Sequence, residues 1–221
     1  MAKPKKLPKS WQLFEQEVTE LVAAFGYQAE TTQPSHDFGV DVIATSEKRR
    51  IIIQCKLYGK GKIGGPTITQ LMGSKQIFKA DEAICITTSA FTKDAQNLAS
   101  QGNVHLLDRS KLISMCKEKQ ITLPSFTSLE VGNKMCVLLN VPTLTIGRAE
   151  DNDIVMNSMK VSRHHVRLDR KGLRLTLQDC GSSNGTFING KSLLQPITLN
   201  YEDEFLIDGT TFRVSFHMPN T

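Results

Sequence analysis

Three polar residues interrupt two otherwise apolar segments of the chain. In Gly39-Val-Asp-Val-Ile-Ala44 the carboxylate of Asp41 stands between valines. In Ile51-Ile-Ile-Gln-Cys-Lys56 the Gln54 amide and the Lys56 ammonium stand two residues apart. Residues i and i+2 of a strand share a face, so Gln54 and Lys56 project together while Ile53 and Cys55 turn the other way. An antiparallel neighbour can bring Asp41 beside them. Charged groups placed so far into apolar segments are costly unless they are paired or bound to a metal ion. The donors suit a hard cation: Asp41 and the Gln54 amide oxygen would be ligands to Mg²⁺ (or Mn²⁺), with water completing the octahedron. Lys56 would hold or deprotonate the attacking water and stabilise charge developing at phosphorus. This chemistry is phosphodiester hydrolysis. A further carboxylate would strengthen the metal site, and Glu15 is a candidate. Glu15 and Glu17 fall at opposite rims of one helix's apolar face, so both stay open at this point.

A second set of residues clusters near the other end of the chain. Ile146-Gly-Arg148, Val161-Ser-Arg-His-His165 and the loop Asp179-Cys-Gly-Ser-Ser-Asn-Gly-Thr-Phe-Ile-Asn-Gly190 each fall at turns rather than strand centres. Loops at the end of a rigid sandwich carry recognition residues without damage to the core. A guanidinium neutralises an anion while hydroxyls and amides satisfy its oxygens, so an Arg, Ser and Asn together form a pocket for one phosphate. Asn184-Gly185 and Asn189-Gly190 also have the composition of hairpin turns.

These groups need elements to position them. From Ser10 the apolar residues Phe14, Val18, Leu21, Val22 and Phe25 recur with helical spacing, Ser10 can cap, and Gly26 ends the run. Strands are expected at Tyr27–Thr32, Gly39–Thr45 and Arg50–Lys56, with the last pair joined through the polar turn Ser46-Glu-Lys-Arg49. Helices are expected at 66–79, opened by Pro66 and Thr67, at Thr92–Gln101 and at Ser110–Lys119, with strands at Ala83–Thr88 and Val104–Leu107. The order αβββαβαβα is a mixed α/β domain. Beyond Lys119 the helical signal ends, and short β-rich runs (Met135–Leu139, Thr143–Ile146, His165–Asp169, Leu173–Gln178, Glu204–Ile207, Thr211–Phe216) separated by Gly, Asn and Asp turns suggest a sandwich. The expected joint lies in Gln120–Ser128, around Pro124, giving domains at 10–119 and 129–217.

Composition sets the outer limits. With 221 residues, 39% apolar and 22% charged, the chain should fold rather than remain disordered. No apolar run approaches the ~18 residues that span a bilayer. The basic start Met1–Ser10 reads as a flexible arm and lacks the apolar stretch of a secretory signal, so a cytoplasmic location is expected. Five scattered cysteines without a CxxC pair argue against both a disulfide framework and a zinc site, and Cys55 and Cys85 read as small buried hydrophobes. Residues 1–120 hold 17 Lys and Arg against 12 Asp and Glu, whereas residues 121–221 hold 10 of each. The positive excess therefore lies in the first half of the chain, where it would attract polyanions.

The run Phe14-Glu15, Gly39-x-Asp41, Gln54-x-Lys56 and Ile68-Thr-Gln-Leu-Met72 resembles the Mrr-type restriction endonucleases of the PD-(D/E)XK superfamily over about residues 10–118. The resemblance implies a three-layer α/β restriction-endonuclease-like core and Mg²⁺-dependent DNA cleavage, with catalytic positions at Glu15, Asp41, Gln54 and Lys56 and Gln70 as a possible auxiliary. Glu15, Asp41 and Gln54 would be the metal ligands. Gln54 stands where the superfamily commonly has an acidic residue, a variation known in the Mrr group that removes one negative charge from the site. Lys60 and Lys62 of the following Gly-rich loop could grip phosphates, and His36 and Asp37 could support the site from a preceding loop.

The combination GR, SRxH, SxNGT and NG is similar to the forkhead-associated (FHA) domain over about residues 129–217. That resemblance implies an 11-stranded β-sandwich that binds phosphothreonine peptides. Arg148 and Ser162 would contact the phosphate, Arg163 would flank it, Ser183 would assist, and Asn184 would hold the peptide backbone. His165 and Gly147 would be structural, and His164 matches no fixed element. The expected protein is thus a nuclease with DNA and a phosphothreonine-containing protein as partners, acting as a possible homodimer. The alternative is a non-catalytic DNA-binding adaptor recruited to phosphorylated proteins.

Overall fold

The computed structural model describes residues 10–32, 38–58, 61–132 and 135–217, in two compact units that divide between residues 114 and 115. His36, Asp37, Lys60 and the arm before Ser10 lie outside the described residues.

In the first unit, helix α1 (Ser10–Ala24) buries Phe14, Val18, Leu21 and Val22, the stripe its spacing requires. Ser10 lies inside the helix rather than capping it, and Gly26 adopts φ +91°, which glycine reaches without strain. Three antiparallel strands follow: β1 (Gln28–Thr31), β2 (Val42–Thr45) and β3 (Arg50–Lys56). The polar turn between β2 and β3 closes with the Ser46 amide donating to the Arg49 carbonyl at 2.8 Å. Strand β3 is buried from Ile51 to Cys55 because it occupies the sheet centre, with β2 antiparallel on one side and β5 (Glu82–Thr87) parallel on the other. The parallel edge strand β7 (Val104–Leu107) completes the order β1-β2-β3-β5-β7.

Helices α2 (Gly65–Ile77), α3 (Lys93–Gly102) and α4 (Arg109–Glu118) connect and follow these strands. Pro66 opens α2, and the Thr92 hydroxyl caps α3 by accepting from the Ala95 amide at 3.2 Å. Ile52, Ala83 and Cys85 of the sheet join Ile68 and Leu71 of α2 and Ala95 and Ala99 of α3 in one buried cluster. Gln54 and Lys56 have the parity of Ile52 and so share that face. Two short strands, β4 (Lys62–Ile63) and β6 (Ala90–Phe91), pair in parallel outside the sheet. No helix among the described residues is long and apolar enough to cross a membrane.

One expected strand is shorter than its pattern. Gly39–Asp41 lie outside β2, since Phe38 (φ +43°) and Gly39 (φ +76°) are left-handed and turn the chain away from the ladder.

Among its described residues the second unit is a sandwich of eleven strands. One sheet runs β11 (Ile154–Val155), β10 (Thr143–Gly147), β12 (Val166–Lys171), β13 (Arg174–Asp179), β16 (Ile197–Leu199). The other runs β15 (Lys191–Ser192), β14 (Phe187–Ile188), β17 (Glu204–Ile207), β18 (Thr210–Phe216), β8 (Thr127–Val131), β9 (Met135–Leu138). Alternate residues Leu144 and Ile146, Leu175 and Leu177, Phe205 and Ile207, and Phe212, Val214 and Phe216 fill the space between the sheets. The stretch 120–128 carries structure of its own. Pro124–Phe126 form a 3-10 turn, Leu123 and Phe126 are fully buried, and the Leu123 amide donates to the buried Tyr201 hydroxyl at 2.9 Å.

Candidate functional sites

The first site forms where the β2–β3 ladder ends. Past Val42 the Asp41 amide still donates to the Ile53 carbonyl at 2.9 Å. The next rung is made by a side chain, because the Cys55 amide donates to Asp41 Oδ2 at 2.6 Å. The Asp41 carboxylate is thereby fixed against the backbone between Gln54 and Lys56. On the far side of β3, the Thr87 hydroxyl (2.8 Å) and the Thr88 amide (3.4 Å) both donate to the Lys56 carbonyl, which holds the strand end still.

Gln54 is 1% exposed, and its amide oxygen has no hydrogen-bond partner among the described residues. A buried acceptor left without a donor costs free energy and asks for an explanation. Helix α2 closes the same spot. The Ser74 hydroxyl donates to the Phe38 carbonyl at 2.6 Å, and a Cβ on Gly39 would come within 2.7 Å of both the Gln54 and Gln70 amide nitrogens. Gly39 is therefore required twice, for its left-handed backbone and for the absence of a side chain. Gln70 is otherwise exposed on α2, and its amide end meets the site here.

Glu15 and Glu17, equivalent on a helical wheel, are separated by the fold. Glu17 is buried at 7% exposure, while Glu15 is half-buried. The Cys55 thiol is pushed well above its ordinary value, first by burial and then by the carboxylates of Asp41 and Glu15, with Lys56 acting in the opposite sense. Charges from all three candidates thus reach one sulfur atom. Burial also drives Cys85, the register partner of Gln54, up to about 12, with Lys56 opposing and Asp41 adding to it. Both thiols stay protonated at neutral pH and act as packing groups. Among the described residues no three His, Cys, Asp or Glu side chains are grouped for a metal ion. The candidate oxygen donors are the Asp41 and Glu15 carboxylates and the Gln54 amide. That unmatched amide oxygen fits a hard cation such as Mg²⁺.

The second site is an open cavity of about 390 Å³ lined by Arg148, Lys160, Ser162, Arg163, Ser183 and Asn184 among others. All five residues expected from the sequence meet here. Lys160 and the 87%-exposed Met159 are additions. Lys160 was detectable as a base two residues before Ser162, whereas an isolated Met carries no such signal.

The loops around this cavity are fixed from beneath. The Ser183 amide donates to the Ser162 hydroxyl at 3.0 Å, and Asn184 Nδ2 donates to the Lys160 carbonyl at 2.7 Å. His165 is fully buried. Its Nδ1 accepts from the Ser162 amide (3.1 Å), which leaves Nε2 to donate to the Gly185 carbonyl (3.2 Å), so one ring ties two loops together. Gly147 permits a close crossing, because a Cβ there would lie 2.2 Å from the Arg163 carbonyl oxygen. Arg148, Lys160 and Arg163, with His164 and no carboxylate, line the cavity, so the pocket carries positive charge where hydroxyls converge.

Asp179 organises the loop from below. Its carboxylate accepts from the Gly181 and Ser182 amides and from the Ser182 and Thr186 hydroxyls, at 2.6–2.9 Å. Burial works against the charged form, but the Ser182 amide, the two hydroxyls and the Gly181 amide outweigh it and hold this carboxyl below the ordinary value. A depressed carboxyl contributes stability that is complete above the unfolded value, ~3.9, and is lost as pH falls through the folded value. Asp179→Asn should cost on the order of 1–3 kcal/mol in urea denaturation at pH 7. The gap to the wild type should narrow below pH ~4. A gap independent of pH would contradict the assignment.

A restriction endonuclease family model matches residues 8–116, and an FHA domain model matches residues 144–208. The chain is 37% identical over 79 residues to the transcriptional regulatory protein EmbR of Mycobacterium bovis, an overlap of 35% of this chain and 20% of that protein. The chain thus spans only about a fifth of that relative's length. It is 32% identical over 109 residues to the oxoglutarate dehydrogenase inhibitor of Corynebacterium jeikeium, covering 49% of this chain and 73% of that protein. A solved structure from work on phosphothreonine-dependent FHA domain interactions superposes on 42% of this chain and 97% of its own, at 26% identity and a TM-score of 0.39.

Proposed function

Because the chain belongs to the restriction endonuclease family over its first domain and to the FHA family over its second, we propose that it is a metal-dependent DNA endonuclease directed by threonine phosphorylation. The observation that supports cleavage most is the buried Gln54 amide oxygen without a donor, next to the Asp41 carboxylate on the Cys55 amide. Asp41, Gln54 and Glu15 would hold Mg²⁺ or Mn²⁺. When bound, the ion would supply charge neutralisation at the scissile phosphate and a more acidic water. Lys56 would hold or deprotonate the attacking water and stabilise the charge that develops at phosphorus. The Asp41 carboxylate is bonded to the Cys55 amide, the peptide between Gln54 and Lys56. Lys62, exposed on β4, would add a phosphate contact.

In the FHA domain, Arg148 and Ser162 would bind the phosphate of a phosphothreonine, Arg163 and Ser183 would flank it, and Asn184 would hold the peptide backbone. Lys160 would add charge at the rim. Cutting both strands of a duplex asks for two active sites, so the acting species would be a homodimer on DNA. A reducing cytoplasm suits cysteines such as Cys55, Cys85, Cys116 and Cys180, which form no disulfide among the described residues.

A second reading, a DNA-binding adaptor without turnover, is favoured by the amide at position 54. The assay that decides is plasmid cleavage by the full chain with Mg²⁺ or Mn²⁺, on methylated and unmethylated DNA, with and without a phosphothreonine peptide. Metal-dependent nicking or linearisation is expected. Metal-independent DNA binding without any product would leave the adaptor reading standing.

A further inference from the structure

Two aromatic side chains stand exposed at the end of the sheet that carries the first site. Phe38 is 54% exposed and Tyr58 is 43% exposed. Both lie past the point where the β2–β3 ladder gives way to the Asp41 carboxylate, Phe38 three residues before Asp41 and Tyr58 two residues after Lys56.

Each is held by a buried hydroxyl. The Ser74 hydroxyl, on a residue 2% exposed, donates to the Phe38 carbonyl at 2.6 Å. The Thr88 hydroxyl, also on a residue 2% exposed, accepts from the Tyr58 amide at 3.1 Å and donates to its carbonyl at 3.2 Å. Phe38 also sits at φ +43°, a conformation a bulky residue rarely adopts and one that is kept only where its surroundings enforce it. The adjacent Gly39 packs on the Gln54 and Gln70 amides, so the ring is anchored directly to the wall of the site. The Tyr58 ring lies over Gly61, with Cδ1 3.9 Å from where that residue's Cβ would be. Both rings are thus presented to solvent on fixed backbones at the end of the sheet that carries Asp41, one of them in a left-handed conformation.

Building on the nuclease reading, we infer that Phe38 and Tyr58 are stacking platforms for bases that have left the duplex next to the scissile phosphate. The substrate class is therefore DNA with unpaired nucleotides, such as a single strand, a flap or an extruded base, rather than a perfect duplex. Every base has a π-face, so such platforms read the absence of a pairing partner and not its sequence. Lys56 and the exposed Lys62 supply the contact to the backbone.

The test measures binding of the full chain, in Ca²⁺ to prevent turnover, to three fluorescent probes of one sequence: a duplex, a single strand, and a duplex with one unpaired nucleotide. The wild type should prefer the last two. Phe38→Ala and Tyr58→Ala should each lose roughly tenfold on those probes and less than twofold on the duplex, while Phe38→Trp and Tyr58→Phe retain the preference. Matching thermal midpoints establish that the variants fold. Equal losses on all three probes, or no loss from either alanine, would overturn the stacking assignment while leaving the nuclease reading intact. A wild-type chain that binds none of the probes would overturn both.

Discussion

Replacing Lys56 by alanine should reduce metal-dependent DNA cleavage by about 10³-fold, while the protein keeps its thermal midpoint and its affinity for Mn²⁺. The magnitude is that of removing a group that moves a proton and stabilises transition-state charge in one step. The separation of effects follows from position. Lys56 is half-buried, and it is its carbonyl, not its ammonium, that is bonded to Thr87 and Thr88. Truncating the side chain leaves those bonds and the β3–β5 ladder intact. Gel analysis of plasmid products measures the rate, and calorimetric Mn²⁺ titration measures the metal site. Equal cleavage by both proteins would remove Lys56 from the chemistry and, with it, the main reason to read the first domain as an enzyme.

Arg148→Ala should weaken binding of a phosphothreonine peptide about 100-fold, near 3 kcal/mol, as seen by fluorescence anisotropy or calorimetry. The unphosphorylated peptide should bind neither protein. The side chain of Arg148 is exposed at the cavity mouth, and its backbone is fixed by its own amide donating to the Ser162 carbonyl at 3.0 Å. The substitution therefore removes charge without moving the loop. A variant that binds as well as the wild type would shift the phosphate to Lys160 and Arg163, which line the same cavity.

How much of this was legible in the sequence depends on how long each signal runs. Strand β3 was readable to the residue, since five buried positions between Arg50 and Lys56 leave no other reading. The pairs β4–β6 and β14–β15 are two-residue strands, shorter than any periodic pattern, and only tertiary contacts create them. The Gly39–Asp41 segment looked like strand because it runs into the apolar residues Val42, Ile43 and Ala44, but a left-handed pair at Phe38 and Gly39 overrides propensity.

The two sites differ in the same way. In the sandwich, Arg148, Ser162, Ser183 and Asn184 belong to short motifs that resemble a known family, so their meeting at one cavity could be expected before the loops were seen together. In the α/β domain the polar trio was visible as an interruption, but choosing between Glu15 and Glu17 required knowing which rim of α1 meets the sheet. Wheel geometry is symmetric about that question. Asp179 shows a further limit: it reads as the first residue of a loop, and only coordinates reveal four donors converging on it.

The carboxylate that stands in for a main-chain rung at Asp41 has an evolutionary corollary. Descendants of such a protein that abandoned cutting would still have cause to retain an acid there, since discarding it would unzip the hairpin where it meets α2. Retention of that aspartate across homologues is therefore poor testimony to enzymatic competence. The ammonium two residues beyond the amide has no comparable architectural duty among the described residues, so its loss or survival is the better witness to which lineages still cleave.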